Sequence, residues 1–187
     1  MNATHFKRWV VVDLETTGLS PAKGDRIVEI GAVAVEGDRI VAEFSTLVDP
    51  ERLIPYRAQQ VHGISDAMVK GAPRFAEALP KFLTFCEDSP LISHNASFDR
   101  GFLDFQAKQV MEVPLPHLHF DTLRAARMLL PKLGTHKLEA LAQHLGVDLK
   151  NHHRALGDAR ATAAIWIHLD RMATEQKASL ARAFLRN

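Results

Sequence analysis

The sequence predicts an α/β fold in which a mixed β-sheet of about five strands is flanked by α-helices. One observation is that three segments with strand character follow one another in the first part of the chain. The other is that two further short apolar segments alternate with segments of helical periodicity. Consecutive strands followed by alternating strands and helices are typical of a mixed sheet covered by helices.

The strand segments are rich in β-branched and aromatic residues and are bounded by turn residues. The first lies at about 8–14 and contains the run "WVVV" before Thr, Gly and Pro. The segment "RIVEIGAVAVEGDRIVAEFSTLVDP" predicts a hairpin, with strands at about 26–36 and 40–48 joined by "EGD". The short apolar segments "SPLISHN" and "HLHFDT" predict the remaining strands.

The helical segments show apolar residues at three- and four-residue spacing. Short pieces are predicted at "RAQQVHG" and "SDAMVK", and a longer helix follows Pro73, where Pro80 is expected to split or bend it. The segment "SFDRGFLDFQAKQ" predicts a helix with a phenylalanine stripe towards the core. The rest is expected to be helical, at about 122–130, 137–145 and 154–185, including the final "ATEQKASLARAFLRN".

Composition limits the class of protein. With 187 residues, 47% hydrophobic and 24% charged, residues 1–187 are expected to form a single domain with one core. The net charge of +1 excludes a strongly basic, histone-like binder but leaves nucleic acid open as a substrate. The lone Cys86 indicates a reducing compartment, and no apolar run approaches the ~20 residues of a membrane span, so we expect a cytoplasmic protein.

Two acids at the end of the first strand pose an electrostatic problem. Asp13 and Glu15 share one face of that strand, with Cα atoms about 6.6 Å apart. Like charges that leave a core strand together repel, and desolvation makes the repulsion worse. Either a positive group compensates them or one acid keeps its proton, unless the strand end is simply hydrated.

Two later segments add an acid at the edge of a predicted element. Asp99 falls in the first turn of the helix after "SHN", where helix capping is the alternative role. Asp158 lies in the last long helix among small residues, where a solvated helix face is the alternative. His153, five residues earlier, can point at the same centre only from a loop that precedes the helix.

In this order, the three segments resemble a known set of motifs. The segments "DLETTG", "HNASFDRGFL" and "HHRALGDA" are similar to the exonuclease motifs of the DEDDh, or DnaQ-like, family of 3′–5′ exonucleases. That family includes the epsilon proofreading subunit of bacterial DNA polymerase III and RNase T. The lesser signatures "VHGIS", "FDTLRAARMLLP" and "KLEALAQHLGV" also match, and the resemblance covers about residues 8–170. It implies a ribonuclease-H-like fold.

The resemblance implies a two-metal site built from carboxylates. Asp13, Glu15 and Asp158 would hold two Mg²⁺ or Mn²⁺ ions directly, and Asp99 would hold one of them through water. Carboxylates without zinc-spaced Cys or His clusters suit hard cations. His153 would be the general base that takes the proton of the attacking water, since the family's H-x4-D spacing selects it. His152 is the neighbouring candidate, and in an extended segment it would face the other way.

Further residues are candidates for contact with the terminal nucleotide. Thr16, Thr17 and Gly18 offer small side chains and N–H groups at the strand exit, although an ordinary turn explains them equally well. By resemblance His62 would contact substrate, with a structural role as the alternative. The remaining candidates for the site wall are Asn95 and Phe98, the latter with core packing as the favoured role. Basic residues that could meet phosphates are Lys132, His136, Lys137, Lys150 and Arg154.

The predicted function is a metal-dependent 3′–5′ exonuclease that releases 5′-mononucleotides from DNA in proofreading or trimming. One alternative keeps the chemistry and changes the substrate to RNA, as in RNase T or the oligoribonucleases, because the sequence does not reveal a test of the 2′-hydroxyl. A second alternative is a non-catalytic module that binds a polymerase or nucleic acid. The expected partners are single-stranded or frayed 3′ ends of nucleic acid and, by resemblance, a DNA polymerase subunit.

Overall fold

A computed structural model describes residues 6–149 and 152–185 of the chain. Within these residues five strands form one sheet in the order β3-β2-β1-β4-β5. The strand β1 is antiparallel to β2 and parallel to β4, and β4 is parallel to β5, so the sheet is mixed as predicted. The strands are β1 (Arg8–Thr16), β2 (Ile27–Glu36), β3 (Arg39–Leu47), β4 (Leu91–Ser93) and β5 (His119–Asp121).

The helices cover both faces of the sheet. Their bounds are α1 (Tyr56–His62), α2 (Asp66–Val69), α3 (Phe75–Cys86), α4 (Ser97–Met111), α5 (Thr122–Leu129), α6 (Leu138–Leu145) and α7 (Ala155–Glu175). Short 3₁₀ turns occupy Pro21–Lys23 and Ala181–Ala183. No helix among the described residues is long and apolar enough to cross a lipid bilayer.

The alternation of side chains along β1 divides the core in two. Trp9 and Val11 point to the face covered by α5, α6 and α7, where Trp166 and Leu169 pack on them. Val10 and Val12 point to the opposite face, which is covered by α3 and α4. Because alternate residues share a face, Asp13 and Glu15 continue the Trp9 face, under the beginning of α7.

The predicted split of the helix at Pro80 does not occur. The helix α3 runs through Pro80 from Phe75 to Cys86. Pro80 is exposed, whereas Leu79 and Phe82 beside it are buried. A proline removes one backbone hydrogen bond, and burial of the neighbouring side chains in the core compensates for that loss.

The predicted helix at 154–185 is longer than the observed one. The expectation that the final segment continues the helix was wrong. The helix α7 ends at Glu175, and Lys177 adopts a left-handed φ of 52°. The N–H of Ala178 donates to the carbonyl of Ala173 at 2.8 Å, a bond that commonly closes a helix at its end. The chain then turns back, so that Leu180 and Ala183 are buried in the core.

Candidate active site

The predicted acids meet at one edge of the sheet. Strands β1, β4 and β5 run parallel, so their carboxyl ends lie together. Asp13 and Glu15 stand at the end of β1, and Asp99 lies in the first turn of α4, directly after β4. Asp158 lies in the first turn of α7. Three separate stretches of the sequence are therefore brought to one place by the topology.

The carboxylates of Asp13, Glu15 and Asp158 form a compact group. One oxygen from each lies within 4.8 Å of the others. Asp158 is buried, while Asp13 and Glu15 are half-buried. Oxygen ligands at this spacing could share a cation from different sides.

Asp99 approaches this group from the other side of β1. It is buried, and backbone N–H groups, including that of Leu14, hold its carboxylate in place. Its charge acts on both Asp13 and Glu15, although it does not belong to the compact group of oxygens. The expected role of Asp99 as a ligand through water stays a prediction.

Close contact between α7 and β2 brings Asp158 to the site. Gly31, which pairs with Asp13 in the sheet, lies against the first residues of α7. A Cβ at position 31 would come 2.2 Å from the backbone carbon of Ala155, so any side chain there would push the helix away. Gly31 is therefore needed for α7 to reach the strand pair.

A buried ion pair fixes the start of α7. Glu29 on β2 accepts hydrogen bonds from Arg154 at 2.7 Å and 3.1 Å, and from the N–H of Ala155 at 3.0 Å. Only 3% of the Glu29 side chain is exposed, which makes this acid an internal anchor and not a surface charge. Arg154 directly follows His153, so the same anchor holds the loop that carries the two histidines.

The two histidines do not face opposite ways, so that expectation was wrong. Their rings lie side by side, with centroids 3.7 Å apart, because His153 has a left-handed φ of 62° and breaks the extended course. The Nδ1 of His152 is 2.8 Å from an Asp158 oxygen, and its Nε2 is 3.0 Å from Glu139. His153 is exposed, and its backbone N–H donates to Asp158 at 3.2 Å. His153 lies in the loop before α7, as the spacing argument requires.

Burial and mutual repulsion disturb the protonation of the acids. Burial, followed by the charges of Asp99 and Glu15, raises the pKa of Asp13 well above its ordinary value. Burial, followed by the charge of Asp158, raises the pKa of Glu15 to about 8. Burial also raises the pKa of Asp99. For His152, burial lowers the pKa, but the bonds to Asp158 and Glu139 outweigh it and the net shift is upward.

An apolar cleft of about 460 Å³ lies beside Glu15. Its wall includes most of the candidates for substrate contact, together with one arginine and several apolar side chains: Thr16, Thr17, Gly18, His62, Phe98, Arg57, Leu14, Leu19, Pro55, Ala58 and Val61. Phe98 also stacks on Phe102, with ring centroids 5.0 Å apart, so it serves the core and the cleft at once. His62 is buried, and its Nδ1 accepts from the N–H of Ile64 at 3.0 Å.

The turn after β1 engages part of what Thr17 was expected to offer. The Thr17 N–H donates to the Arg26 carbonyl at 2.8 Å, and its hydroxyl accepts from the Arg26 N–H at 3.0 Å. The Thr16 hydroxyl donates to the Gly18 carbonyl at 2.6 Å. Gly18 lies against Asp25, since an added Cβ would come 2.4 Å from its carboxylate. Thr17 therefore lines the cleft while its N–H holds the turn.

A second, polar groove of about 670 Å³ begins at Asp13, on the other side of the acids. Its wall includes His94, Asn95, Arg127, Thr135, His136, Lys137, Glu139 and His152. Asn95 is exposed and sits in a left-handed turn with a φ of 64°, so it borders this groove and not the apolar cleft. Of the basic candidates, Arg154 is paired with Glu29, and Lys150 lies outside the described residues. Lys132 borders a different, largely apolar pocket.

Comparison with known proteins identifies the family. A family model described as exonuclease matches residues 10–166, which spans all the acids of the site. The chain belongs to the exonuclease family. A PolC-type DNA polymerase III from Clostridium perfringens is 47% identical over 159 residues, which is 84% of this chain but 11% of the polymerase. The exonuclease chain thus spans about a ninth of the length of that relative.

Solved structures of other exonucleases share the fold. Exonuclease X, in complex with 5′ overhanging duplex DNA, is 29% identical, with a TM-score of 0.75 over 94% of this chain and 96% of that one. The nuclease domain of 3′hExo, a DEDDh family member bound to rAMP, is 19% identical, with a TM-score of 0.78 over 94% of this chain and 95% of that chain. The predicted ribonuclease-H-like fold is confirmed, and the family match confirms the predicted exonuclease resemblance.

The acid group of this exonuclease fits the divalent cations that the family requires. The donors are all carboxylate oxygens, the ligands preferred by hard cations. Burial and like charge raise the pKa of Asp13, Glu15 and Asp99, and a cation between them would relieve the repulsion. The divalent requirement therefore accounts for acids that would otherwise weaken this edge of the sheet.

Sequence reasoning missed two residues that shape this exonuclease site. Glu29 was visible as a single acid between the buried Val28 and Ile30, where a charge needs a partner. Glu139 gave no such signal, because an acid in the first turn of a helix is common. Its role is visible only in the folded structure, where α6 places it beside His152.

Proposed function

We propose that this exonuclease removes nucleotides one at a time from the 3′ end of a DNA strand, releasing 5′-mononucleotides, with two Mg²⁺ or Mn²⁺ ions. The observation that carries the proposal is the position of the carboxylates of Asp13, Glu15 and Asp158 between an apolar cleft and a polar groove. The cleft suits the base and sugar of a terminal nucleotide, and the groove suits the charged strand that leads to it. We propose that residues 1–187 form one exonuclease domain.

The proposed chemistry is hydrolysis of the last phosphodiester bond. Divalent cations held by these acids would make an attacking water more acidic and would stabilise charge on the leaving 3′ oxygen. Asp13, Glu15 and Asp158 would supply the direct ligands, and Asp99 would act through water. The buried anchor between Glu29 and Arg154 keeps Asp158 facing β1, which fixes the ligand geometry.

His153 is the proposed general base. Its exposed ring has room to swing towards the scissile phosphate, while its backbone N–H stays bonded to Asp158. A ring nitrogen of His153 would accept the proton of the attacking water and later release it to solvent. His152 would orient Asp158 through the bond at 2.8 Å, with Glu139 holding its other nitrogen.

The proposed contacts with the terminal nucleotide lie in the apolar cleft. Thr16 and Gly18 border the position of the 3′-hydroxyl, and Phe98 and His62 form the wall against the sugar and base. Asn95 would contact the strand from the groove side. A free 3′ end is required in this arrangement, because the cleft receives a nucleotide that has no neighbour beyond it.

DNA is the proposed substrate because the relatives at 42–47% identity are DNA polymerases and Exonuclease X was solved with duplex DNA. The PolC-type relatives also support a proofreading or trimming role beside a DNA polymerase, in the bacterial cytoplasm. RNA remains the second candidate substrate, since the 3′hExo nuclease domain was solved with rAMP. A purely binding module would not need the full set of acids.

The decisive experiment follows nucleotide release from matched single strands of DNA and RNA labelled at the 3′ end. We expect 5′-mononucleotides with Mg²⁺ or Mn²⁺, none in EDTA, and faster release from DNA. A bulky cap on the 3′-hydroxyl should block the reaction. Equal cutting of a circular single strand would refute the exonuclease polarity, and full activity in EDTA on metal-free protein would refute the cation requirement.

A further inference from the structure

Besides the apolar cleft and the polar groove, a cavity of about 750 Å³ lies beyond the groove. It is bounded by the start of α4, by α5 and by the C-terminal segment, and its wall includes Ser97, Arg100, Asp104, Arg124 and Arg182. None of the proposed catalytic residues borders it. The arginines come from three separate stretches of the chain, so the folded structure assembles them.

The acids near this cavity are already engaged by backbone groups. Asp104 accepts from the N–H of Leu115 at 3.1 Å and pairs with Arg100 at 3.2 Å. Asp121 accepts from the N–H of Asn95 at 3.1 Å and lies 3.7 Å from the Nε of Arg124. Each acid therefore divides its charge between backbone N–H groups and a guanidinium. Among the described residues of the cavity wall, three arginines accompany one carboxylate, that of Asp104.

Arg182 adds a charge that no acid among the described residues balances. It is exposed, and within residues 6–149 and 152–185 no carboxylate lies at ion-pair distance from it. The C-terminal segment runs antiparallel to β5 through a bridge between Phe184 and Phe120. Arg182 thus lies towards the carboxyl end of β5, the edge of the sheet that also carries the active site.

The cavity and the active site are joined by adjacent residues. Asp99 faces the acid group, and Arg100, the next residue, faces the cavity. Likewise, Leu123 borders the polar groove, and Arg124 borders the cavity. A chain that left the acids along the groove would therefore meet the arginines next.

We infer that this cavity binds a phosphate group of the nucleic-acid strand, upstream of the nucleotide being removed. The inference rests on the proposed function, and it adds the requirement for a strand long enough to reach from the acids to the arginines. Arginine presents paired N–H donors that match phosphate oxygens. The apolar cleft on the other side of Glu15 has one arginine, Arg57, on its wall. The groove carries Arg127 and Lys137, and the cavity carries three arginines, so the phosphates leave on the groove side.

The test is the affinity for single-stranded DNA of different lengths, from about 3 to about 20 nucleotides, measured in EDTA so that no turnover occurs. The variants are Arg124→Ala, Arg182→Ala and the double variant. The matched control is Arg39→Ala, which removes the same charge from the β2–β3 turn at the opposite edge of the sheet.

For the long strand, we expect the double variant to raise Kd by about tenfold at low salt and to lower the slope of log K against log salt by about 0.7 for each lost phosphate contact. Its Kd for the shortest strand should not change, and Arg39→Ala should behave as the unchanged protein. Equal affinities of the double variant and Arg39→Ala for the long strand would overturn the inference.

A competition arm separates the strand from a free nucleotide as the source of the phosphate. If the double variant loses affinity for a 5′-mononucleotide and shows no dependence on strand length, the cavity binds free nucleotides and the strand assignment is wrong. The proposed function is tested apart from this. Length-dependent binding without nucleotide release would refute the exonuclease reaction alone, and release with silent arginine variants would refute the cavity alone.

Discussion

Without divalent cations, Asp13 and Glu15 lower the stability of the folded protein. The pKa of Glu15 rises from 4.5 to about 8, chiefly through burial. Between these two values the folded protein binds a proton that the unfolded chain has released, so its stability falls as pH rises through this window. Asp13 adds a shift of the same sign.

The substitution Asp13→Asn should therefore stabilise the cation-free protein at alkaline pH. In EDTA, the Tm of the unchanged protein should fall between pH 5 and pH 8.5, and the variant should fall less, ending about 2–4 °C higher. Nucleotide release with Mg²⁺ should drop by about 10²-fold or more, because a direct ligand is lost. Thermal unfolding monitored by circular dichroism checks the first point.

A control for this prediction is Asp104→Asn. The Asp104 carboxylate accepts from the N–H of Leu115 and pairs with Arg100, so its loss should lower Tm across the same pH range. If Asp13→Asn lowers Tm as Asp104→Asn does, then Asp13 is a structural acid and its assignment as a ligand fails.

Replacing His152 and His153 one at a time with alanine should have different effects on kcat and on cation affinity. We expect His153→Ala to keep cation binding and to lose about 10²–10⁴-fold in kcat, the usual contribution of a positioned proton acceptor. The pH–rate profile should lose the limb that reports the proton acceptor. His152→Ala should cost less in kcat and should weaken cation affinity, because His152 contacts Asp158 directly.

Assays of both variants from about pH 5.5 to 9 at saturating Mg²⁺, with calorimetric titration of Mn²⁺, measure these effects. A large loss of kcat in His152→Ala with near-normal turnover in His153→Ala would reverse the assignment. The sequence could not decide between them on contacts, since the left-handed φ of His153 that stacks the rings has no signature in "HHRALGD".

At the scale of elements, two ion pairs between α7 and the sheet form a natural comparison. Glu29 on β2 pairs with Arg154, and Glu43 on β3 pairs with Arg160, in each case through two guanidinium nitrogens. The side chain of Glu29 is 3% exposed, and that of Glu43 is 38% exposed. Because Glu29 is buried, the first pair should stabilise the packing of α7 on the sheet. The second pair should contribute little to the free energy of unfolding.

We expect Glu29→Gln to lower the free energy of unfolding by about 1–3 kcal/mol, because it removes charge-assisted hydrogen bonds at a buried site. The half-exposed Arg154 keeps partial hydration, which limits the loss. Glu43→Gln should cost less than about 1 kcal/mol. Urea unfolding in EDTA measures both.

Glu29→Gln should also reduce kcat more than Glu43→Gln does, since the start of α7 carries Asp158 and the histidine loop. Equal effects of the two substitutions on stability and kcat would show that the buried pair does not anchor the helix.

The strands and most helices followed from the sequence because their periodicity is local. The hairpin of β2 and β3 was predicted at 26–36 and 40–48 and lies at Ile27–Glu36 and Arg39–Leu47. The positions of the acids followed from the family motifs. The end of α7 could not be predicted in this way, because "ASLARAF" is rich in good helix formers. Its turn away from the helix depends on packing against the aromatic residues around Trp9, which is a long-range contact.

For the whole molecule, that final segment completes the core. Leu180 and Ala183 are buried, and Phe184 packs edge-on against Phe120 with ring centroids 5.2 Å apart. The N–H of Leu185 donates to the carbonyl of His119 at 2.8 Å, so the segment also covers the free edge of β5. An uncovered strand edge is a site for aggregation.

Ending the chain after Gln176 should therefore lower the free energy of unfolding by about 3–5 kcal/mol, the value of burying about two apolar side chains. The truncated protein should also aggregate more readily. Denaturant unfolding and light scattering measure these effects, with Arg182→Ala as the control, since that exposed side chain lies in the same segment. A truncated chain as stable as the control would mean that the segment adds nothing to the core.

The same contacts bring the two ends of the described chain to one place. Phe6 and Phe184 both stack near Trp9, with ring centroids 5.2 Å and 6.3 Å from it. This meeting point lies at the amino end of β1, across the sheet from the acids. A circularly permuted chain, joined here by a short flexible linker and opened between Gly37 and Asp38, should fold and keep its nuclease activity. Because both ends of the described chain lie on the side opposite the acids, this fold could be inserted into a larger protein through one attachment point. The edge that carries the acids would then remain accessible.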